Sequence, residues 1–152
     1  MRRNEKEVTD RSLIDSYIRE AKVCRVGLVD GDEAYIVPMN FGYADGCFYF
    51  HCAHEGRKID LVRRVGKASF ELDLDRGLVI DTDAYKCTNH FICVMGTGTI
   101  EIVSDAEERT KGLRALMGQY SHAHYEFSDK CLGKTSVLRL KVETISCKKN
   151  GV

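Results

Sequence analysis

The sequence predicts a mainly β fold of the α+β class: about six antiparallel strands forming a small barrel, interrupted by two or three covering helices. Three observations carry this. Residues 68–74 alternate strictly, with Phe70, Leu72 and Leu74 on one face and Ser69, Glu71 and Asp73 on the other. Apolar runs are separated by the tight-turn sequences Asp30-Gly31-Asp32 and Ala44-Asp45-Gly46. Two further stretches repeat at helical spacing: Leu13, Ile14, Tyr17, Ile18 and Ala21, then Ile59, Leu61, Val62 and Val65.

In chain order, residues 1–8 are charged and read as a frayed end. Thr9 or Asp10 is a good cap for the first helix, and residues 23–29 form a strand in which Gly27 marks a bulge or a close-packing point. Residues 34–41 carry Tyr35, Val37, Met39 and Phe41 on one side and Ala34, Ile36, Pro38 and Asn40 on the other. Both sides are largely apolar, which in a chain this short calls for a barrel and a partner subunit. Pro38 cannot donate to a ladder, so its strand belongs at an edge or is split there, and Val37 before it is held extended. A strand at 47–52 and a helix at 56–65 follow. Residues 75–90 suggest only a short strand near 78–80 and a polar loop. Residues 91–103 read as a long strand, bent at Gly96 and Gly98. Ser104-x-x-Glu107 is a capping box for a helix that runs to about Gln119 and buries Ala106, Leu113, Leu116 and Met117. The last strand, 136–146, turns Leu138, Leu140 and Val142 inward.

A chain of 152 residues is most simply one domain spanning 1–152. Its 43% hydrophobic and 30% charged residues are ordinary for a globular protein. Basic and acidic residues balance at 23 each, so no global field favours nucleic acid or a membrane surface, and little repulsion opposes self-association. No apolar run reaches the roughly 20 residues of a membrane span, and the first residues lack a signal-peptide core, so a cytoplasmic location is expected. Seven cysteines without a CxxC pair then read as small, reduced hydrophobes. The phosphate loop, the nucleophile elbow and the dinucleotide fingerprint are all missing, which argues against kinase and hydrolase chemistry.

The chemistry-bearing stretch is His54-Glu55-Gly56-Arg57-Lys58. Gly56 allows close backbone approach, Arg57 offers a planar fork and Lys58 a point charge, and both cations begin a helix whose free N–H groups favour an anion. On residues alone, a solvated basic turn stands as the alternative. The strand feeding into it, Phe48 to Ala53, could wall a planar heterocycle, with His51 as a hydrogen-bonding or proton-moving group; an ordinary core strand is the alternative here. Zinc at Cys47, His51, Cys52 and His54 is disfavoured, because strand alternation sends Cys52 to the face opposite Cys47 and His51. His122 and His124 read as a polar surface loop.

The runs YIVPMNFGY, GCFYFHCAHEGRKID, ASFELD and FICVMGTGTIEIV resemble the pyridoxamine 5'-phosphate oxidase-like, FMN-binding split-barrel proteins, and most of all their nitroimidazole-resistance branch. The resemblance covers residues 1 to about 146. It implies a six-stranded antiparallel split barrel with peripheral helices and a homodimer with FMN at the subunit interface. By match to the motif, Val37, Pro38, Met39 and Asn40 would line the isoalloxazine, Phe50, His51, Cys52 and Ala53 would continue that wall, and Arg57 and Lys58 would hold the phosphate. Cys93 falls where the family often places a polar residue near the flavin, reaching the other subunit's site. Cys52 departs from the usual serine, and a thiol is the weaker donor. The family also takes in members that bind a deazaflavin or haem. The implied activity is that of an FMN-dependent, nitroreductase-like oxidoreductase acting on a small molecule, with His51 as the catalytic candidate and no metal. The alternative is a non-catalytic flavin carrier or sensor.

Overall fold

The sheet begins where β2 (Cys24–Asp30) folds back on β3 (Glu33–Met39) across a two-residue turn whose Gly31 has φ 63°. In this computed structural model, residues 4–127 and 133–151 are described. The remaining elements are β1 (Glu7–Val8), α1 (Arg11–Glu20), β4 (Gly42–Ala44), β5 (Cys47–Cys52), α2 (Arg57–Val65), β6 (Lys67–Val79), β7 (Thr88–Ile102), α3 (Ala106–Tyr120) and β8 (Ser136–Asn150), with short 3-10 turns at Asn4–Lys6 and Ala84–Lys86. β4 and β5 form a second hairpin with a two-residue turn. Asp45 and Gly46 both take positive φ, 52° and 73°, the backbone that matches the twist of the flanking strands.

All strand pairs are antiparallel, in the order β3-β2-β6-β7-β8-β5-β4, with β1 added on β8. The two outermost strands, β3 and β4, are separated in sequence only by Asn40 and Phe41. Two residues cannot span a flat seven-strand sheet, so the sheet must curl until its edges meet, yet no ladder joins them. That is a split barrel. The six longer strands are β2, β3, β5, β6, β7 and β8; β1 and β4 are additions of two and three residues. Pro38 sits on β3, an edge strand, as its missing donor requires.

Phe41, Phe48, Phe50 and Phe70 fill the barrel, with ring centroids 5.4 Å apart for Phe41–Phe48 and 4.7 Å for Phe48–Phe70. α1 closes one side through Ile14 and Ile18, capped by Asp10, whose carboxylate accepts from Ser12 and Leu13. α3 packs against β4 and β5 over Tyr49, Val103 and Val137. This contact depends on Gly112 and Gly42, because a Cβ on Gly42 would lie 2.2 Å from the backbone of Ala115 and Leu116.

Several expectations need correction. The end read as frayed is paired from Glu7, which sits opposite Lys148, and Val8 is buried. The α3 cap is Asp105, accepting from the Glu108 N–H, one residue later than the Ser104 box; Ala106 is consequently exposed. Val65 stays partly exposed at the end of α2. β6 runs on to Val79 through a bulge between Asp75 and Leu78, longer than the short strand at 78–80, because β7 supplies a continuous partner. The register of β2 is unbroken at Gly27, whereas β7 shifts between Thr97 and Gly98, at the expected bend. Cys24 and Cys147 are buried, Cys47, Cys52 and Cys93 half-buried and Cys87 exposed, all six as free thiols; Cys131 lies outside the described residues.

Candidate functional site

α1 and α3 begin under an aspartate; α2 does not. Its N-cap is Gly56, at φ 115° and ψ 168°, a backbone that residues with a Cβ rarely adopt, and among the described residues no side chain caps the helix. The first N–H groups of α2 therefore meet no carboxylate cap, and Arg57 and Lys58 stand beside them. Cations at this end oppose the helix dipole. A helix that keeps two of them and omits the cap is arranged for an anion.

The two cations differ. Arg57 donates Nε to Asp30 Oδ2 at 2.8 Å and Nη2 to Glu33 Oε2 at 3.4 Å, and its guanidinium lies 4.6 Å from the centre of the Tyr35 ring. Asp30 also accepts from Arg64 at 2.6 Å; the bonds from Arg64 and then Arg57 hold its carboxyl below the usual carboxylate range. Lys58 is half-buried and makes no ion pair with a described carboxylate. It acts on Cys52: burial raises that thiol, and the positive charge of Lys58 offsets part of the rise.

Arg57, Lys58 and Cys52 line a pocket of about 200 Å³ together with Tyr35, Ala53 and Gly56. Of the residues expected at the cofactor, the structure gathers Cys52, Ala53, Arg57 and Lys58 here. His51 is exposed on β5, one residue before Cys52 and opposite Val137. Phe50 is fully buried in the core beside Phe48, so only its backbone can face a ligand. Val37 packs on the core, Pro38 is exposed, Met39 is buried opposite Cys24, and Asn40 Nδ2 donates to the Lys22 carbonyl at 3.3 Å. None of these four lines the pocket. Nor does Cys93, on β7, where its thiol reaches Glu71 Oε1 at 3.7 Å and is pushed up to about 11 by burial, with Glu71 adding to the rise.

Two residues of the candidate site have no counterpart in the sequence expectation: Tyr35, which lines the pocket, and Asp30, which lies outside it and holds Arg57. Tyr35 lies two positions before Val37 on the same side of β3; Asp30 reads only as a turn residue, because nothing local links it to a helix 27 residues on. His54 is tied down, Nδ1 to Ser136 Oγ at 2.9 Å and Nε2 to the Gly133 carbonyl at 2.8 Å. His122 and His124 are exposed, and no cluster of metal-binding side chains occurs among the described residues.

The phosphate end of FMN fits this donor set: an uncapped helix start, one uncommitted ammonium, and a guanidinium that stacks on an aromatic ring. A pocket of about 200 Å³ is too small for the whole flavin nucleotide, since sites for ligands of that size run to roughly 300–1,000 Å³. A larger hollow, about 580 Å³, opens on the outer face of the sheet between Gly27, Ile36, Phe70, Glu71 and Met95.

Comparison with known proteins agrees with this architecture. No curated protein matches the chain significantly. Among solved structures, a candidate 5-nitroimidazole antibiotic resistance protein from Bacteroides thetaiotaomicron is 28% identical, with a TM-score of 0.85 over 94% of this chain and 86% of that one. The flavocytochrome Anf3 from Azotobacter vinelandii shares the fold at 21% identity, TM-score 0.86, covering 100% of this chain and 72% of that one. So does an FAD- and haem-binding protein from Mycobacterium smegmatis, at 19% identity and TM-score 0.84, over 97% and 74% of the two chains. The family model described as pyridoxamine 5'-phosphate oxidase matches residues 10–149, and the chain therefore belongs to that family of FMN-binding split barrels.

Proposed function

We propose that the chain is an FMN-dependent oxidoreductase of the nitroreductase-like type, acting in the cytoplasm as a homodimer with FMN at the subunit interface. The observation that carries the reading is the convergence of Lys58, Arg57 and the uncapped start of α2 on one pocket. The likeness to the candidate nitroimidazole-resistance protein supports the substrate class. Ile36, 63% exposed on the outer side of β3, supports a second subunit covering that face.

Lys58 and the α2 N–H groups would bind the phosphate, with Arg57 completing the clamp while it rests on Tyr35. Cys52, Ala53 and the backbone of Phe50 would flank the cofactor from β5, and Val37, Pro38, Met39 and Asn40 from the β3 edge, with Cys93 entering from the partner. Bound FMN supplies electron transfer between a reduced donor and an acceptor. The proton falls to the chain: His51, exposed at the end of β5, offers an imidazole that can deliver one to a reduced acceptor.

Absorbance of the purified protein, with and without added FMN, tests binding; oxidation of a reduced nicotinamide in the presence of a nitroaromatic acceptor tests turnover. Saturable FMN binding with acceptor-dependent turnover is expected. Binding without turnover would leave a flavin carrier, and no binding would remove the reading altogether.

A further inference from the structure

Past Asp75 the β6–β7 hairpin leaves the sheet. The ladder of β2 on β6 ends at Arg25 opposite Glu71, and that of β8 on β7 begins at Asn150 opposite Phe91. Beyond them, Leu78 and Val79 pair, among the described residues, only with Asn89 and Thr88. Leu78 and Ile80 are 73% and 76% exposed, and Tyr85 is 96% exposed at the tip. A lone two-stranded ribbon is marginal in water. Even so, this one is built with care. A bidentate Arg76–Glu20 pair ties its base to α1, at 2.6 and 2.7 Å. Asp81 accepts from the Asp83 N–H at 2.9 Å and Asp83 from the Tyr85 N–H at 3.1 Å, two successive Asx turns that shape the tip. An ordered arm that carries its apolar side chains into solvent is made to insert into something.

The same chain carries an apolar recess. The outer-face hollow of about 580 Å³ is floored by Phe70 and by small residues, Gly27, Gly96 and Ser69, with Ile36 and Met95 on its walls. We infer that the arm of each protomer docks in the outer-face hollow of a second copy, so that two chains exchange arms reciprocally. This specifies how the proposed homodimer is held together and rests on that homodimer; it does not depend on the identity of the cofactor.

The area is sufficient. A buried tyrosine covers about 150–250 Å², and a leucine or isoleucine side chain about 60–120 Å² by the usual transfer coefficient. One arm thus covers about 350 Å², its recess loses a similar area, and reciprocal exchange brings the total to about 1,400 Å², within the range of specific interfaces. Two-fold exchange also leaves no arm and no recess unfilled, so the assembly closes as a dimer instead of growing into a filament.

The test is the mass of the full-length protein in solution, by light scattering, beside a Leu78→Asp/Ile80→Asp double variant and Gly27→Arg. Gly27 has room for a side chain, the nearest atoms to a Cβ there being 3.8 Å away. The wild type should run at twice 17.2 kDa and both variants at 17.2 kDa with unchanged far-UV circular dichroism. Cross-linking gives a second readout, one that leaves the arm's apolar residues and Gly27 intact. Exposed Cys87 on the arm and a Thr97→Cys beside the recess should join two chains through a short bismaleimide, and Cys87→Ser in that background should abolish the doubled band. Variants that remain dimeric, with no Cys87-dependent band, would overturn arm exchange while leaving the homodimer standing. A monomeric wild type would overturn both. A Gly27→Arg variant that stays dimeric but loses FMN would assign the recess to the cofactor and equally refute arm docking.

Discussion

Arg57, the first residue of α2, donates its Nε to Asp30 Oδ2 at 2.8 Å, tying the proposed anion site to the end of β2. The guanidinium edge best suited to a phosphate is thus partly spent on a carboxylate. An anion at α2 must share Arg57 with Asp30 or take it away. Asp30→Asn removes both the competitor and a nearby negative charge, so FMN and inorganic phosphate should each bind several-fold more tightly in a fluorescence or calorimetric titration. Weaker binding would mean that Asp30 positions Arg57 for the ligand instead of competing for it.

Lys58 has no such commitment. Lys58→Ala should weaken FMN by about 10- to 100-fold, the worth of one charge-assisted hydrogen bond, with little change in melting temperature without ligand. If affinity is unchanged, Lys58 is outside the site. The Lys58→Arg variant should recover part of the loss, because charge is retained while the shape of the donor changes.

Gly42→Ala tests the seat of α3. The added Cβ would lie 2.2 Å from Ala115 C and Leu116 N, both backbone atoms that no rotamer change can move. The helix must lift, at about 3 kcal/mol, or about 6–12 °C in a melting experiment on a chain this size. Gly27→Ala, with 3.8 Å to the nearest atoms, should melt within a degree or two of the wild type.

Acid should unfold the protein through its carboxylates. Glu108 is held below its ordinary range by the Tyr49 hydroxyl at 2.7 Å and by Arg139 at 3.0 Å; Asp30 and Glu20 are lowered by their arginines. With folded values depressed, the unfolded chain binds more protons in the carboxylate range, so stability rises with pH there. The contribution is complete above the unfolded values, near 4, and is lost as pH falls through the folded ones. Melting temperature should drop below about pH 4, and Glu108→Gln should flatten that drop while lowering the plateau above it.

Much of the fold is legible because it is written in local patterns. The alternation of Phe70, Leu72 and Leu74, the Asp45-Gly46 turn and the stripe of Ile14 and Ile18 each need only a few consecutive residues. The start of α3 is ambiguous by one residue because Ser104-x-x-Glu107 and Asp105-x-x-Glu108 are both acceptable cap patterns; in the fold it is Asp105 that accepts from the Glu108 N–H. The length of β6 was hidden because residues 75–79 lack alternation and are held as strand by β7.

By itself, the sequence determined the strand and helix types, the restriction of Pro38 to an edge or a split strand and the basic start of α2, since each follows from residue chemistry at short range. Tertiary structure alone decided that Arg57 is shared with Asp30 while Lys58 is not, that Phe50 is core and Cys52 is pocket, and that Cys93 does not line the clamp pocket. Those distinctions depend on which strands become neighbours when the sheet curls, and neighbours in a barrel are set by closure of the whole sheet, a property no short window of residues contains.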